Sequence, residues 1–159
     1  MSNSLRDKVL VVTGASSGIG RSIALESASR GATVILMARH QDKLEEIANE
    51  ARQLSGNEVY VFPTDISKAD QIDRAFNEIV SHVDHIDYLV NAAGFGVFKE
   101  FLETSPQVVT EMFQTNVLGL MYFTRLVARV MIDQKQGQII NFGSIAGIVP
   151  TTKTAAYSA

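Results

Sequence analysis

Short apolar runs alternate along this chain with longer amphipathic segments. The runs at 9–12, 33–38, 58–62, 88–90 and 138–142 are rich in β-branched and aliphatic residues and predict strands. The spacing of helices with a buried face occurs in segments 19–30, 41–54 and 105–134, and in a further segment capped by Ser67. Strands that alternate with helices predict an α/β fold with a parallel sheet and right-handed crossovers.

The longest predicted helix begins at Ser105, which a proline follows, and ends near Gln134. Near-heptad spacing assigns one stripe to the core: Phe113, Val117, Leu120, Thr124, Val127 and Met131. Other faces carry further apolar residues: Met112, Met121, Tyr122, Phe123 and Leu126. Since one contact cannot cover all of this surface, we expect a homo-oligomer that pairs through helix 105–134. The shorter helices should bury Leu44, Ile47, Ala51 and Leu54, and then Ile72, Ala75, Phe76 and Ile79.

A glycine turn joins the first strand to the first helix. The sequence from Lys8 to Gly20 reads KVLVVTGASSGIG, which places Gly14, Gly18 and Gly20 between an apolar run and an amphipathic segment. Glycines in this context give a tight turn, close approach to a pyrophosphate and close helix packing, while the helix N-terminus faces the anion. The motif predicts a Rossmann-type doubly wound parallel sheet with its first strand central. A purely structural glycine turn is the alternative.

Composition excludes several classes of protein. The 159 residues are 46% hydrophobic and 19% charged, which is typical of one globular domain with a proper core. A net charge of -3 gives no reason to expect nucleic acid or an anionic membrane surface as a partner, and no apolar run approaches the length of a membrane span. There is no cysteine, no metal-ligand spacing among the histidines and no secretory h-region in MSNSLRDK, so we expect no metal and a cytoplasmic location.

Three motifs resemble those of the short-chain dehydrogenase/reductase family in its compact single-domain form. They are TGASSGIG from Thr13, the run NAAG at 91–94, and Tyr157, which begins the family's Tyr-x-x-x-Lys motif. The resemblance implies that 1–159 is an NAD(P)-binding Rossmann domain, the amino-terminal part of a longer single domain, truncated after the fifth strand. It implies these cofactor-binding residues: Gly14, Ser16, Ser17, Gly18, Ile19, Gly20, Arg39, Asp65, Ile66, Asn91, Ala92, Ala93 and Gly94.

The resemblance also implies roles within that set. Asp65 would bond the adenine amino group with Ile66 beside the ring, although a turn-forming aspartate is the alternative. The small residues at 92–94 would let the cofactor lie flat across the strand ends. Asn91 would tie neighbouring strands together and is therefore largely structural.

The end of the second strand bears on the choice of cofactor. Folds that prefer NAD place an acid there, roughly 20 residues past the glycines, to hold the ribose 2′-hydroxyl. Here Ala38 and then Arg39 occupy that position. There is thus no carboxylate to repel a 2′-phosphate, and the guanidinium of Arg39 offers the phosphate forked hydrogen-bond donors. Ser16 or Ser17 could add a hydroxyl contact. The sequence therefore favours NADP(H), with a solvated surface arginine as the alternative.

Three further residues match the family's catalytic positions. Ser144, just past the fifth strand, would hold a carbonyl oxygen, and Tyr157 would donate and accept its proton. Asn116 would hold a water in a proton relay, or else mark a simple polar bend in the long helix. The implied activity is NADP(H)-dependent hydride transfer between nicotinamide and a ketone or secondary alcohol.

The lysine that belongs four positions after Tyr157 lies beyond Ala159. A free phenol holds its proton well above neutral pH, and the family's lysine counters this and also binds the nicotinamide ribose. We therefore expect an inactive fragment of an oxidoreductase. A non-catalytic dinucleotide-binding module is the alternative, and a Rossmann-like methyltransferase is disfavoured by the serine and tyrosine.

Overall fold

The computed structural model describes residues 4–149 and 151–159. Five parallel strands form one sheet in the order β3-β2-β1-β4-β5: β1 (Val9–Thr13), β2 (Thr33–Ala38), β3 (Val59–Pro63), β4 (Tyr88–Asn91) and β5 (Gln138–Asn141). β1 is central, and the chain changes direction across the sheet on either side of it. The predicted Rossmann-type α/β fold is confirmed.

Helices cover both faces of the sheet. They are α1 (Gly18–Ser29), α2 (Gln41–Ser55), α3 (Ala69–His82), α4 (Pro106–Phe113), α5 (Leu120–Asp133) and α6 (Ala155–Ser158). Alternate residues of β1 separate two cores: Leu10 and Val12 pack with α1 and α2, whereas Val9 and Val11 pack with α3 and α5. The period-two alternation of strand side chains thus places one helical layer on each face.

Most predicted element boundaries agree with the structure to within one residue, but two details are wrong. Leu54 is 52% exposed in the last turn of α2, which Gly56 terminates in a left-handed conformation. Ser67 does not cap α3, whose N-cap is Lys68. The Ser67 hydroxyl and N–H instead donate to Asp65 Oδ1 at 2.7 and 3.0 Å, so a local turn occupies the side chain.

The long helix predicted over 105–134 is two helices joined by a π-helical segment, Gln114–Gly119. A π turn contains an extra residue, so it shifts which residues face the core. Phe113 and Val117, predicted to be buried, are therefore 39% and 40% exposed. The buried apolar residues are Met112, Phe123, Val127 and Met131. A Cβ on Gly119 would overlap the Ile66 carbonyl oxygen, so this segment lies directly against the loop after β3.

Within residues 4–149 and 151–159, no helix combines the length and apolar character needed to cross a bilayer. The same residues contain no cluster of histidine, aspartate and glutamate side chains that could hold a metal ion.

Candidate active site

A cleft of about 440 Å³ lies across the carboxyl ends of β1, β2, β3 and β4. This is where the doubly wound topology puts ligands, since the loops on either side of central β1 diverge there. Eleven of the predicted cofactor residues line it: Gly14, Ser16, Ser17, Gly18, Ile19, Arg39, Asp65, Ile66, Ala92, Ala93 and Gly94. The structure thus brings four separate loops to one site.

The first glycine of the turn allows two loops to meet. Gly14 has a left-handed φ of +67°, which favours glycine. A Cβ there would lie 2.6 Å from the Ala93 nitrogen and 2.7 Å from the Ala92 carbonyl, so any side chain would separate the β1 loop from the β4 loop. The Ala93 N–H also donates to Thr13 Oγ1 at 3.3 Å. Gly14 therefore sets the floor of the cleft.

The second glycine leaves room for an anion at the start of α1. Gly18 has φ +53°, lines the cleft and has no atom within 4 Å of the position a Cβ would take. Ser17 is the N-cap of α1, yet its hydroxyl makes no capping bond, and no acidic residue occupies the first turn. Backbone N–H groups and the positive end of the helix dipole suit a diphosphate. The residues present therefore fit a dinucleotide.

Two predicted cofactor residues, Gly20 and Asn91, do not line the cleft. A Cβ on Gly20 would overlap the Gly14 carbonyl oxygen, so this glycine lets α1 pack closely on the turn. Asn91 is 1% exposed, and its Nδ2 donates to Thr124 Oγ1 at 2.8 Å and to Asn141 Oδ1 at 2.9 Å. Asn91 thereby ties β4 to β5 and α5 and supports the cleft from beneath.

The end of β2 is positively charged and contains no acid. Ala38, Arg39 and His40 all line the cleft, and Arg39 and His40 are exposed. Among the described residues Arg39 has no ion-pair partner. His40 is also the N-cap of α2, whose dipole adds positive potential here, although Asp42 in the first turn of that helix offsets part of it. This corner of the cleft suits a phosphate.

The loop after β3 lies beside the end of β2, where the Thr64 N–H donates to the Ala38 carbonyl oxygen at 2.7 Å. The Asp65 N–H donates to Gln71 Oε1 at 2.8 Å, while the Asp65 carboxylate accepts the two bonds from Ser67 described above. Asp65 therefore forms a turn, as the alternative interpretation holds, and it lines the cleft as well. Ile66 is buried at 7% exposure and presents an apolar wall.

Asn116 lies within the π-helical segment and clamps the loop that follows β4. Its Oδ1 accepts from the Phe95 N–H at 3.0 Å, and its Nδ2 donates to the Phe95 carbonyl oxygen at 2.8 Å. The Asn116 side chain thereby holds both backbone polar groups of Phe95. Short π-helical segments of this kind are frequent at functional sites.

Ser144 follows β5 and caps the 3-10 turn Ile145–Gly147. Its Oγ accepts from the Ala146 N–H at 3.1 Å. Because the oxygen is the acceptor in this bond, the hydroxyl hydrogen stays free to donate. The residue is exposed, so a small molecule can reach it. Chemically, Ser144 can hold a carbonyl oxygen.

Tyr157 lies on the short helix α6, which packs against the 3-10 turn that Ser144 caps. Its ring contacts Phe98 with centroids 5.7 Å apart and planes at 57°. The ring also lies directly against Gly96, on the loop that Asn116 clamps. The topology therefore brings Tyr157 to the loop after β4, although the two are remote in sequence.

Several cleft residues were not predicted from the sequence: Thr13, Met37, His40, Thr64, Phe95 and Thr115. Thr13, His40, Thr64 and Phe95 lie in the residues at and just after strand ends, so the rule that ligands bind at carboxyl ends could have found them. Thr115 lies in the π-helical segment, and no pattern in the sequence indicates it. Gly96 and Phe98, which contact Tyr157, were also missed.

The model of the short chain dehydrogenase family matches residues 8–159, and the chain belongs to this family. A fatty acyl-CoA reductase of Acinetobacter baylyi is 36% identical over 157 residues, which is 98% of this chain and 53% of the relative. The chain spans between 40% and 66% of the length of the first curated relatives it matches. The resemblance inferred from the motifs is confirmed.

Solved structures share the fold. A metagenomic short-chain oxidoreductase in complex with NADP is 35% identical, with a TM-score of 0.92 over 99% of this chain and 71% of that one. An NAD+-bound xylitol dehydrogenase is 29% identical, with a TM-score of 0.92 over 97% of this chain and 59% of that one. Solved structures of this fold thus contain NADP in one case and NAD+ in the other.

Proposed function

We propose that this chain forms the nucleotide-binding part of an NADP(H)-dependent oxidoreductase that interconverts a ketone and a secondary alcohol. The observation that carries the choice of nucleotide is the end of β2, where Ala38 occupies the position of the acid that NAD-preferring folds place there and Arg39 lines the cleft. A guanidinium presents forked donors to a phosphate, and a missing acid removes repulsion. The metagenomic oxidoreductase in complex with NADP supports this choice. The fold alone does not determine the nucleotide, because the xylitol dehydrogenase of the same fold binds NAD+.

The proposed chemistry divides among a few side chains. A nicotinamide nucleotide held in the cleft would supply or take up the hydride. Ser144 donates its free hydroxyl hydrogen to the carbonyl oxygen and orients the substrate. Tyr157 passes its phenolic proton to that oxygen during reduction and takes it back during oxidation. Asn116 fixes the loop on which Tyr157 rests.

Nucleotide titration tests the proposal at the binding step. A charged hydrogen bond to phosphate contributes about 1.5–3 kcal/mol, so we expect Arg39→Ala to weaken NADPH binding about tenfold or more and NADH binding less than about twofold. Arg6→Ala is the matched control, because Arg6 is an exposed arginine that does not line the cleft. Wild-type affinity that is equal or higher for NADH would refute the NADP(H) assignment.

A reductase assay tests the catalytic half. The family's motif lysine lies four residues after Tyr157, so we propose that residues 1–159 bind NADPH without reducing a carbonyl substrate. A chain extended through that lysine should reduce one and should lose the activity on Tyr157→Phe. If the extended chain binds NADPH but reduces no ketone in a broad panel, the non-catalytic dinucleotide-binding module becomes the better description. Turnover by residues 1–159 would refute the need for the lysine.

We also propose that two copies of the chain pair through the region 105–134. The π-helical segment turns apolar side chains outward, and four of them are between 39% and 61% exposed: Phe113, Val117, Leu118 and Met121. Contiguous exposed apolar surface of this kind marks interaction sites in soluble proteins. The patch runs along a helix, which suits self-complementary packing around a two-fold axis.

A further inference from the structure

We propose that Gly96 is a positioning residue for Tyr157, and that its bare backbone is the surface against which the phenol ring is oriented. The proposal rests on the proposed function, in which Tyr157 transfers the proton. It assigns a role to a residue outside the motifs of the sequence and outside the cleft described above.

The contact leaves no space for a side chain at Gly96. An added Cβ would lie 2.8 Å from Tyr157 Cδ2 and 3.0 Å from both Cε2 and Cγ. Carbon atoms at van der Waals contact are about 3.5–4.0 Å apart, so the ring would have to move by several tenths of an ångström or more. Gly96 has no left-handed φ, in contrast to Gly14 and Gly18. The ring, and not the backbone conformation, is therefore what demands glycine here.

Phe98 contacts the same phenol ring. Its ring contacts Tyr157 in a tilted geometry at 5.7 Å, although Phe98 itself is 64% exposed. An aromatic ring with so much exposed surface contributes little to the core, so its main described partner is the tyrosine. Tilted aromatic pairs attract each other beyond the effect of burial. Gly96 and Phe98 together confine the ring.

The supporting loop is itself held in place. Phe95, the neighbour of Gly96, has both its N–H and its carbonyl bonded to the Asn116 side chain, at 3.0 and 2.8 Å. Gly94 also lies close to Asn116, because a Cβ there would be 3.2 Å from Oδ1. The π-helical segment that carries Asn116 thus fixes the position of this loop.

Proton transfer is sensitive to such confinement. The donor must lie within hydrogen-bond reach of the reacting oxygen, and a misplacement of about 1 Å can lower turnover about a hundredfold. A methyl group at position 96 displaces the ring without adding charge or a new polar group. Gly96→Ala is therefore a minimal perturbation of the tyrosine position.

The first test observes the ring directly in the 159-residue chain by NMR, with tyrosine labelled at the ζ carbon. The protein has four tyrosines, and Tyr157→Phe assigns the resonance of interest. We expect Gly96→Ala to shift the Tyr157 signal and leave those of Tyr60, Tyr88 and Tyr122 unchanged. Gly147→Ala is the matched control, since a Cβ at Gly147 meets no atom within 4 Å. An unmoved Tyr157 signal in Gly96→Ala would overturn the proposal.

A second variant keeps the test decisive if Gly96→Ala fails to fold. Phe98→Leu removes the aromatic contact without adding bulk, at a residue that is largely exposed. We expect it to shift only the Tyr157 resonance, by less than Gly96→Ala does. Shifts spread over all four tyrosines would indicate general loosening and would contradict a specific positioning contact.

The kinetic test uses the chain extended through the motif lysine. We expect Gly96→Ala to lower kcat about tenfold or more, to leave the NADPH dissociation constant within about twofold, and to raise the solvent isotope effect on kcat. In a Tyr157→Phe background, Gly96→Ala should cost less than about twofold, because residues that act as a unit are not additive. Full additivity of the two losses would overturn the positioning role. If the extended chain has no activity at all, the proposed function fails, while the NMR result still decides whether Gly96 orients the ring.

Discussion

The side chain of Asn116 pairs with both backbone polar groups of Phe95. Its Oδ1 accepts from the N–H at 3.0 Å, and its Nδ2 donates to the carbonyl oxygen at 2.8 Å. A neutral amide supplies one acceptor and one donor in that arrangement, which a carboxylate of the same size does not. This pairing joins the π-helical segment to the loop after β4.

Asn116→Asp should therefore break half of the pairing at neutral pH. The carboxylate still accepts from the Phe95 N–H, but its second oxygen faces the Phe95 carbonyl oxygen, and two acceptors repel. We expect the free energy of unfolding, measured with urea, to fall by about 1–3 kcal/mol. Because a protonated carboxyl group donates again, the loss should shrink as the solution is acidified.

Asn49→Asp is the matched control for this prediction. Asn49 is an exposed residue of α2. Its side-chain Oδ1 accepts from Arg52 Nη1 at 3.2 Å, and a carboxylate at this position can accept the same bond. Its substitution should change the stability by less than about 0.5 kcal/mol. Equal stability of Asn116→Asp and Asn49→Asp would show that the pairing contributes nothing.

Much of the fold follows from local patterns. The apolar runs and their turns predict every strand, because a buried parallel strand such as β2 must be apolar on both faces. The topology then predicts the cleft, since the loops after β1 and β4 diverge where the strand order reverses at the central strand. Gly14, Gly18 and Arg39 could thus be placed at one site from sequence.

What the sequence could not predict depends on contacts between distant segments. Gly119, the last residue of the π-helical segment, lies against the Ile66 carbonyl, and helix propensities carry no record of such a contact. The extra residue in the π turn is what exposes Phe113 and Val117. The contact of Tyr157 with Gly96 is missed for the same reason, because it joins segments about 60 residues apart and no periodicity describes it.

The exposed apolar patch of the π-helical segment and α5 leads to a prediction about assembly. Met121 is 61% exposed, and a charge at this position would have to be buried in a dimer that uses the patch. We expect Met121→Glu to raise the dimer dissociation constant about a hundredfold or more, measured by sedimentation equilibrium. An uncompensated buried charge costs about 3–5 kcal/mol, which agrees with an increase of the dissociation constant by about a hundredfold or more.

Leu54→Glu is the control for this experiment. Leu54 is 52% exposed at the end of α2 and lies outside the patch, so its substitution should leave the association state unchanged. A monomeric wild-type chain at every concentration measured would refute pairing through 105–134. Equal weakening by both substitutions would place the interface elsewhere.

Asp87, at the amino end of β4, holds together the end of the sheet opposite the cleft. It is 3% exposed, and its carboxylate accepts from Lys8 Nζ at 2.8 Å, the Val9 N–H at 2.9 Å and Gln136 Nε2 at 2.9 Å. His85 Nε2 lies 3.1 Å away. Burial by itself would raise the pKa of Asp87, but the three hydrogen bonds and the Lys8 charge outweigh burial and hold the pKa below its ordinary value.

The direction of that pKa predicts how stability depends on pH. A carboxyl group whose pKa is lowered by folding stabilises the protein above its ordinary pKa, and this contribution is lost as the pH falls through the folded value. The bond to Asp87 raises the pKa of Lys8, so the lysine contribution is complete below its ordinary pKa and is lost only in strong alkali. Their joint contribution should be constant through neutral pH and should fall below about pH 4.

Asp87→Asn isolates this contribution. The amide cannot accept from three donors, so we expect the free energy of unfolding at pH 7 to fall by about 2–3 kcal/mol. The difference between wild type and Asp87→Asn should shrink as the pH is lowered below about 4, because the wild-type carboxyl group is then neutral as well. Asp84→Asn, at an exposed residue with no ion-pair partner in the described part of the chain, should show neither effect. If the difference between wild type and Asp87→Asn stays constant down to pH 2, the carboxylate charge is not what joins β1 to β4.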